Sequence, residues 1–479
     1  MTLPELGVGV AYFSGLEPLL APGGLADVIE VEPQTLWLQP DAAASAYRVD
    51  ADALARVAAL PGAKILHGIG FAVGGTLLPE AAQLAPFLAT RTALGAPWVS
   101  EHLAFNRARD EAGAYTTSFM LPPRQSEAGI RAAVRSIRAM SSALPVPFAF
   151  ETGVNYLRPR ADEIADGEFV ARVAEEAGCG IVLDLHNAWC NERNGRQRVQ
   201  DFVASLPLER VWEVHLAGGF ERRGYWLDSH SGAIPAPLVE LAAKVLPQLP
   251  NLKALIFELF PQYLPLVGLE TVEAQLVTVR RLWDRRLAAR ARPARSTPRS
   301  ASPVVAPGPP PEAWEDALGA LVVGRAPPNP TAEELVGDPG VGIVRELLEE
   351  FRASMTVEVL KLTFRLIALS RGADAFERLL AEYWAIAPPQ RFASAEAQGF
   401  AEYLAARALD VPHLDEVLAF ERAALATLLD GDARVVPFGH DPMTVLRPLT
   451  EGRLPERPRA GRYEVEVTPP AVLAASASG

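Results

Sequence analysis

The chain has 479 residues, of which 49% are hydrophobic and 22% are charged, so it can bury at least one large core, and two or three domains are expected. No apolar run reaches the roughly 18–20 residues that cross a bilayer, and no basic segment precedes an apolar core at the N-terminus, so we expect a cytoplasmic protein with no membrane partner. The net charge of −13 disfavours nucleic acid as a partner, because phosphate backbones are bound by clustered lysine and arginine.

The N-terminal part of the chain, residues 1–288, alternates β-rich runs with helical patterns. Eight strands are predicted, at Leu6–Phe13, Asp27–Glu32, Ala63–Ile69, Trp98–His102, Pro147–Glu151, Gly180–His186, Arg210–Leu216 and Lys253–Leu259. Helices are predicted at Ala51–Leu60, Pro79–Leu94, Gln125–Leu144, Asp162–Ala177 and Ala236–Val245. This alternation predicts a parallel sheet, and eight units in this length fit a closed (β/α)8 TIM barrel of the α/β class. A doubly wound open sheet is the alternative.

A segment rich in proline, alanine and arginine, residues 289–311, is predicted to be a linker, because its composition cannot bury enough apolar surface to offset the entropy of ordering it. The remaining residues, 312–479, form the predicted second domain. Helical spacing of apolar residues covers Val341–Ala353, Thr356–Ser370, Ala373–Ala387, Ala393–Arg407 and His413–Leu429, and short β-like runs follow at Arg434–Phe438 and Tyr463–Val467. We therefore expect a mainly helical domain with a small strand-bearing tail.

Histidines and carboxylates recur where the predicted barrel strands end. In a TIM barrel, the C-terminal ends of the strands meet at the face that carries the active site. Imidazole and carboxylate together are the ligand set for zinc, iron or manganese. The predicted metal ligands are His67, His102, Glu151, Asp184, Asn187, His215, Asp228, His230 and Glu258. Their joint placement, rather than any single motif, predicts the metal site.

Several of these residues stand where a purely structural role is costly. Glu151 and Asp184 each end an apolar run, and an ionised carboxylate there is unfavourable unless it is paired or bound to a metal. Asn187 would turn back toward Asp184, and His186 would be a substrate-contacting or ligand-supporting group. We assign His186 and Glu101 as the candidate catalytic residues. In the second domain, His413 and His440 are interpreted as surface or structural groups.

Five local sequences carry a resemblance to a known family. They are Ile65-Leu66-His67-Gly68-Ile69-Gly70, Ser100-Glu101-His102-Leu103, Leu183-Asp184-Leu185-His186-Asn187, Glu213-Val214-His215-Leu216-Ala217-Gly218 and Leu227-Asp228-Ser229-His230. Over roughly residues 5–285 the chain resembles domain-of-unknown-function family 692, the multinuclear non-haem iron oxidases of the methanobactin-oxidase type within the xylose-isomerase-like barrels. The chain departs from that pattern at Thr152 and His186, where the family often has asparagine.

The resemblance implies two or three iron ions, with dioxygen as co-substrate, and oxidation of cysteine residues in a ribosomally synthesised precursor peptide. The second domain resembles the partner protein that recruits the peptide in such systems, through Phe400-Ala401-Glu402-Tyr403-Leu404 and Val411–Glu421. Enzyme and partner would then be fused in cis, and the linker would keep their effective concentration high.

Three other functions use the same residues. A zinc hydrolase of the abasic-site endonuclease kind has nearly the same ligand order, but the acidity of this chain disfavours it. A sugar isomerase would require a lysine at a strand end, whereas Lys64 and Lys253 stand at strand starts. The third function is non-enzymatic, a metal-dependent scaffold on which the helical domain binds a partner.

Overall fold

The computed structural model describes residues 2–39, 47–289 and 308–469. The strands are β1 (Gly7–Ala11), β2 (Val28–Val31), β3 (Trp37–Leu38), β4 (Arg48–Val49), β5 (Ala63–Gly68), β6 (Val99–His102), β7 (Phe105–Asp110), β8 (Gly113–Leu121), β9 (Phe148–Glu151), β10 (Gly180–Asp184), β11 (Val211–Ala217), β12 (Phe220–Arg222), β13 (Tyr225–Leu227), β14 (Ala254–Glu258), β15 (Arg434–His440) and β16 (Ala460–Val467). The helices are α1 (Ala51–Ala59), α2 (Ala81–Leu94), α3 (Glu127–Ser142), α4 (Asp166–Ala177), α5 (Leu185–Arg193), α6 (Val199–Ser205), α7 (Ala236–Val245), α8 (Leu264–Ala289), α9 (Pro311–Val322), α10 (Thr331–Val336), α11 (Pro339–Val359), α12 (Lys361–Arg371), α13 (Ala373–Trp384), α14 (Ala393–Ala405), α15 (Leu414–Asp430) and α16 (Pro442–Thr450).

Eight parallel strands close a barrel in the order β1, β14, β11, β10, β9, β6, β5, β2. They correspond to the eight predicted strands, so the (β/α)8 barrel is confirmed and the open sheet is excluded. The register places His102 opposite Glu151 and Asp184 opposite His215. Because the strands are parallel, their C-terminal residues meet at one end of the barrel.

Local sequence signals explain where the barrel helices start and stop. The Asp50 carboxylate accepts hydrogen bonds from the amides of Asp52 and Ala53 at the start of α1, and the Ser126 hydroxyl accepts one at the start of α3. Helix α2 ends at Gly95, whose φ of 68° is the left-handed conformation that favours glycine. These caps fix where the outer helices begin and end between the barrel strands.

The structure contains barrel elements that the sequence did not predict. Hairpins β7–β8 and β12–β13 follow the fourth and seventh barrel strands, and helices α5, α6 and α8 complete the outer layer. The predicted strand Gly180–His186 ends at Asp184, because the Asp184 carboxylate accepts the amide of Asn187 and starts α5. His186 therefore lies on a helix.

The structure divides into two compact units. The first comprises Met1–Trp37, Val49–Ala114 and Phe119–Val344, and the second comprises Leu38–Arg48, Tyr115–Ser118 and Arg345–Gly479. Of the predicted linker 289–311, residues 290–307 lie outside the described residues. The first unit thus extends beyond the predicted boundary at residue 312 and includes α9, α10 and the start of α11.

Two consecutive side chains of α9 explain why this helix belongs to the first unit. Trp314 is buried, and its indole N–H donates to the carbonyl oxygen of Pro122 at 3.1 Å. The Glu315 carboxylate accepts from the amide of Thr76 at 2.9 Å and from its hydroxyl at 2.5 Å. Thr76 lies after barrel strand β5, and Pro122 follows the hairpin β7–β8 that extends from the end of β6, so α9 packs onto loops at the C-terminal end of the barrel.

The second unit is a helical bundle with a small strand-bearing tail, as predicted. Its core includes Leu366, Phe376, Leu380, Phe400, Val417 and Val445, all of which are buried. Strands β15 and β16 pair antiparallel, with Val436 opposite Val465. In the described parts of both units, no helix combines the length and the apolar character needed to cross a bilayer.

Candidate metal centre

The structure brings all nine predicted ligands to the C-terminal end of the barrel. His102, Glu151, Asp184 and Glu258 are the last residues of β6, β9, β10 and β14, and His67 is the penultimate residue of β5. The others come from β11, from α5 and from the segment after β13. Most of the histidines and carboxylates among the nine belong to groups of three ligand atoms within 4.8 Å of one another, and Glu151 belongs to two of these groups.

The first group consists of His67, His102 and Glu151. The Nε2 atoms of His67 and His102 lie 2.9 Å and 3.0 Å from the same carboxylate oxygen, Oε2 of Glu151. The two Nε2 atoms are 3.4 Å apart. Two imidazoles and one carboxylate thus face one point, which is the donor set of many first-row metal sites.

Neighbouring groups orient both imidazoles for metal binding. His102 Nδ1 lies 3.1 Å from the carbonyl oxygen of Gly68, which can only accept, so Nδ1 carries the proton. The Ser100 hydroxyl donates to the Leu66 carbonyl and lies 2.8 Å from His67 Nδ1, so it accepts from that nitrogen. In each neutral ring the lone pair is then on Nε2, the atom that faces Glu151.

The second group, Glu151, Asp184 and His215, shares Glu151 with the first. His215 Nδ1 lies 3.3 Å from Glu258 Oε1 and 3.8 Å from Glu151 Oε1. Asn187 donates from its side-chain amide to the same Glu151 oxygen at 3.3 Å. Glu151 therefore presents one oxygen to each group, as a carboxylate that bridges two cations would.

Carboxylates beneath His215 fix its tautomer. Its Nε2 lies 3.2 Å from Glu30 Oε2 and 3.6 Å from Glu213 Oε1, and Glu213 also accepts from the indole of Trp98 at 3.0 Å. Burial raises the pKa of Glu30 to about 8. When Glu30 is ionised it can only accept, and the proton of a neutral His215 then lies on Nε2 and the lone pair on Nδ1. Such carboxylate–histidine pairs orient histidine ligands in many metal sites.

The third group consists of His186, Asp228 and His230. His230 Nε2 lies 2.8 Å from Asp228 Oδ1 and 3.6 Å from Glu258 Oε2. The backbone φ of His230 is 43°, a conformation uncommon for a residue other than glycine, and its ring packs against Phe260 at 4.4 Å between centroids. The fold thus holds this imidazole at the barrel end in an unusual backbone conformation.

His186, predicted to be catalytic, orients Asp228. The indole N–H of Trp226 donates to His186 Nε2 at 3.3 Å, so a neutral His186 carries its proton on Nδ1. That nitrogen lies 3.1 Å from Asp228 Oδ1 and donates to it. With both ring nitrogens engaged, His186 is a positioning residue for a ligand carboxylate.

Glu101, the second predicted catalytic residue, is fully buried beside His102. Its Oε2 accepts from the amide of Phe71 at 2.8 Å, and its Oε1 accepts from the amide of His102 at 3.0 Å. Its Oε1 also lies 3.3 Å from His102 Nδ1. This carboxylate therefore holds the loop after β5 and the strand end at His102, and both its oxygens are occupied.

The electrostatics of the site follow from burial and from close opposite charges. Burial disfavours protonation of His67, but the Glu151 carboxylate outweighs it and raises the pKa to about 10. Burial likewise opposes protonation of His230, and Asp228 raises its pKa to about 10. Burial and the neighbouring Glu151 raise the pKa of Asp184 well above its usual range. A metal ion would have to displace these protons, so its binding would release them.

Five of the predicted ligands each have a buried polar atom that makes no well-aligned hydrogen bond with the described residues, although His215 Nδ1 and His230 Nε2 each lie near a carboxylate oxygen. These atoms are Asp184 Oδ2, Asn187 Oδ1, His215 Nδ1, His230 Nε2 and Glu258 Oε2. Buried polar atoms are almost always hydrogen-bonded, so a cluster of exceptions requires an explanation. All five are ligand-type atoms of predicted metal ligands. The residues present therefore fit hard or borderline divalent cations such as iron, manganese or zinc.

Sequence analysis missed three acidic residues around the site. Glu30 and Glu213 lie inside β2 and β11. A single carboxylate within an apolar run does not by itself distinguish a functional residue from an ordinary strand residue. The signal for Glu213 was its position two residues before His215, which places both on the same side of the strand. Glu32 ends the second predicted strand. Burial raises its pKa, and the nearby charge of His67 partly offsets this by lowering it.

Comparison with known proteins identifies relatives of this chain. The chain is 31% identical over 248 residues to a UPF0276 protein of Streptomyces avermitilis, which covers 50% of this chain and 48% of that protein. It is 31% identical over 192 residues to a UPF0276 protein of Anaeromyxobacter sp., which covers 40% of this chain and 66% of that protein. The chain thus spans less than two thirds of the length of either relative.

Among solved structures, an L-ribulose 3-epimerase is similar at 16% identity, with 62% of this chain and 100% of that chain covered and a TM-score of 0.38. A xylose isomerase domain protein from Planctomyces limnophilus is similar at 13% identity, with 60% and 98% covered and a TM-score of 0.35. The family model described as RiPP precursor modification enzyme MbnB/TglH/ChrH matches residues 27–270, which include all nine predicted ligands. The chain belongs to this family of RiPP precursor modification enzymes.

Proposed function

We propose that this chain uses two or three iron ions and dioxygen to oxidise cysteine residues of a ribosomally synthesised precursor peptide. The observation that carries the proposal is Glu151, whose two oxygens face separate groups of histidine and carboxylate ligands. Membership of a family of precursor-modifying enzymes supports a peptide as the substrate. Iron, dioxygen and cysteine are the parts of the proposal that experiments must establish.

Each ligand group would bind a cation at its own position. His67 and His102 would hold one cation with Glu151, and His215, Asp184 and Glu258 would hold the next. Asp228 and His230 would form a third cation position beside Glu258, whose Oε2 lies 3.6 Å from His230 Nε2. Bound iron would supply Lewis acidity that ionises a substrate thiol and electrons that reduce dioxygen.

Residues around the ligands would keep the site ordered. When ionised, Glu30 would retain the proton on His215 Nε2, so that Nδ1 would stay available to a cation. His186 fixes the direction of the Asp228 carboxylate, and the Trp226 indole fixes His186. Glu101 holds His102 through its backbone and its ring. These four side chains would position the metals without reacting themselves.

We assign recruitment of the peptide to the second, mainly helical unit, whose largest segment starts at Arg345. Its bundle and its two-stranded tail, β15–β16, offer the two surfaces on which proteins commonly hold peptides, a helical groove and a strand edge. Covalent attachment to the barrel would raise the local concentration of bound peptide at the site.

The first experiment is elemental analysis of protein purified without air, combined with iron spectroscopy. We expect two or more spin-coupled irons per chain that react with oxygen. Stoichiometric zinc without iron would refute the oxidase and favour hydrolysis. A protein that takes up no metal would refute the metal centre altogether.

The second experiment uses substitutions in the third ligand group. Asp228→Ala and His230→Ala should each lose metal and turnover together, whereas the control Ser229→Ala, between them, should keep both. Peptide affinity should survive all three changes, because recruitment lies in the other unit. Full metal content and full turnover in Asp228→Ala would contradict the ligand assignment, and lost peptide affinity would contradict the assignment of recruitment.

A further inference from the structure

A second histidine–carboxylate cluster lies in the helical unit, far along the chain from the barrel ligands. It consists of His413, Glu416 and His440, whose ligand atoms lie within 4.8 Å of one another. His413 precedes α15, Glu416 lies in the first turn of that helix, and His440 ends β15. The chain has seven histidines, so two of the seven meet here and the other five are in the barrel.

One oxygen of Glu416 faces both imidazoles. Glu416 Oε1 accepts from the amide of Gly439 at 2.6 Å. Glu416 Oε2 lies 3.3 Å from Nδ1 of His413 and 3.3 Å from Nδ1 of His440. The backbone amide thus holds the carboxylate by one oxygen and leaves the other between the two rings.

These distances match the edges of a zinc coordination polyhedron. With Zn–N and Zn–O bonds of about 2.0–2.1 Å, ligand atoms at tetrahedral corners are roughly 3.3 Å apart. Both distances to Oε2 have that value, and His440 Nδ1 also lies 3.2 Å from Oε1. The rings are nearly perpendicular, with an interplanar angle of 87° and centroids 4.4 Å apart, so they approach the same point from different directions.

The backbone departs from regular geometry at both histidines. His413 has a φ of 66°, in the left-handed region that residues other than glycine seldom adopt. The pairing of β15 with β16 shifts register between Phe438 and His440. Each irregularity lies where an imidazole turns toward Glu416. One favourable interaction shared by the three side chains, such as a common ligand, would offset the conformational free energy of both irregularities.

We propose that His413 Nδ1, His440 Nδ1 and Glu416 Oε2 bind a first-row divalent cation, zinc foremost. The cation joins the start of α15 to the end of β15. The His440 side chain is 34% exposed, so water completes the coordination from the solvent side. This site is separate from the barrel centre and does not depend on the reaction proposed for it.

The test is zinc binding by the full chain after chelator treatment, measured by titration and by metal content after gel filtration. Wild-type protein should bind one equivalent more zinc than His440→Gln, whose amide can still donate to Glu416. Glu416→Gln should lose the same equivalent, and Asp415→Asn, an exposed neighbour on the same helix, should bind as wild type does. Cobalt in place of zinc should give a tetrahedral absorption band that His440→Gln lacks.

Comparing single variants of the two sites distinguishes zinc bound in the helical unit from zinc bound in the barrel. Asp228→Ala, which alters the barrel, should keep the equivalent that His440→Gln loses. Equal zinc content and equal cobalt spectra in wild type and His440→Gln would overturn the proposal whether or not the barrel binds iron. Circular dichroism of each variant confirms that a lost equivalent does not reflect an unfolded chain.

Discussion

Replacing Trp314 with alanine should destabilise the barrel unit rather than the helical unit. Trp314 is fully buried in α9, and the guanidinium groups of Arg124 and Arg160 lie 5.1 Å and 4.8 Å from its ring centroid. Its indole also donates to the Pro122 carbonyl. The substitution removes all of these contacts at once.

The structure allows the size of the effect to be worked out. Loss of a buried tryptophan side chain costs about 3–5 kcal/mol. Each cation–π contact adds about 0.5–1 kcal/mol, and the abandoned carbonyl adds about 1 kcal/mol. Because these contributions overlap, we expect a loss of about 4–5 kcal/mol, a large fraction of the roughly 5–15 kcal/mol that stabilises a typical domain.

Hydrogen exchange followed by mass spectrometry reads the two units separately. A loss of about 4 kcal/mol should speed exchange of the best-protected amides in β5, β6 and β9 roughly a thousandfold, and leave those of α13–α15 unchanged. Trp314→Phe should give a much smaller effect, because it keeps an aromatic ring. Phe400→Ala, in the core of the helical unit, should give the reverse pattern. Faster exchange in α13–α15 of Trp314→Ala, with unchanged barrel strands, would refute the assignment of α9 to the barrel.

Burial raises the pKa of Glu315 to about 7 despite hydrogen bonds from Thr76, so its stabilising contribution is complete below about pH 4.5 and is lost as the pH rises through 7. Relative to Glu315→Gln, wild-type protein should lose roughly 3 kcal/mol of unfolding free energy between pH 4 and pH 8 in urea titrations, and a constant difference would contradict this. Arg352→Ala should cost about 3–5 kcal/mol, because it leaves the buried Glu396 carboxylate without the guanidinium 2.8 Å away, whereas the double change Arg352→Met with Glu396→Leu should recover most of the loss in a thermal melt. Adding iron anaerobically to chelator-treated protein at a hundred times the Kd should raise the unfolding free energy by about 2.7 kcal/mol per independent site, and identical unfolding curves with and without metal would exclude a native site.

The barrel, and the meeting of the candidate ligands at one of its ends, could be predicted because their signals are local. A buried parallel strand is an apolar run, and a charged residue at its end, such as Glu151 or Asp184, stands out against that run. The parallel sheet then brings the strand ends together without further information. For this reason the sequence placed all nine predicted ligands at one end of the barrel.

Other features depend on contacts that no local pattern encodes. Glu30 and Glu213 lie inside strands, and only their distances to His215 reveal a role. Nothing in the local sequence of α9 specifies which core the helix packs against. Composition alone therefore predicts the domain boundary at the proline-rich segment. The meeting of His413, Glu416 and His440 likewise depends on how a strand end returns to the start of a helix.

The first unit contains chain from both sides of residues 290–307. A peptide-bond break in that stretch would leave a folded body composed of two polypeptides, joined by the contacts of Trp314 and Glu315. The fragments should therefore complement each other when produced together, and the barrel fragment alone should expose the surface that α9 covers. If the gene were split at this point, the two proteins would associate from the outset. The start of the second protein, which contains α9 and α10, would still belong to the fold of the first.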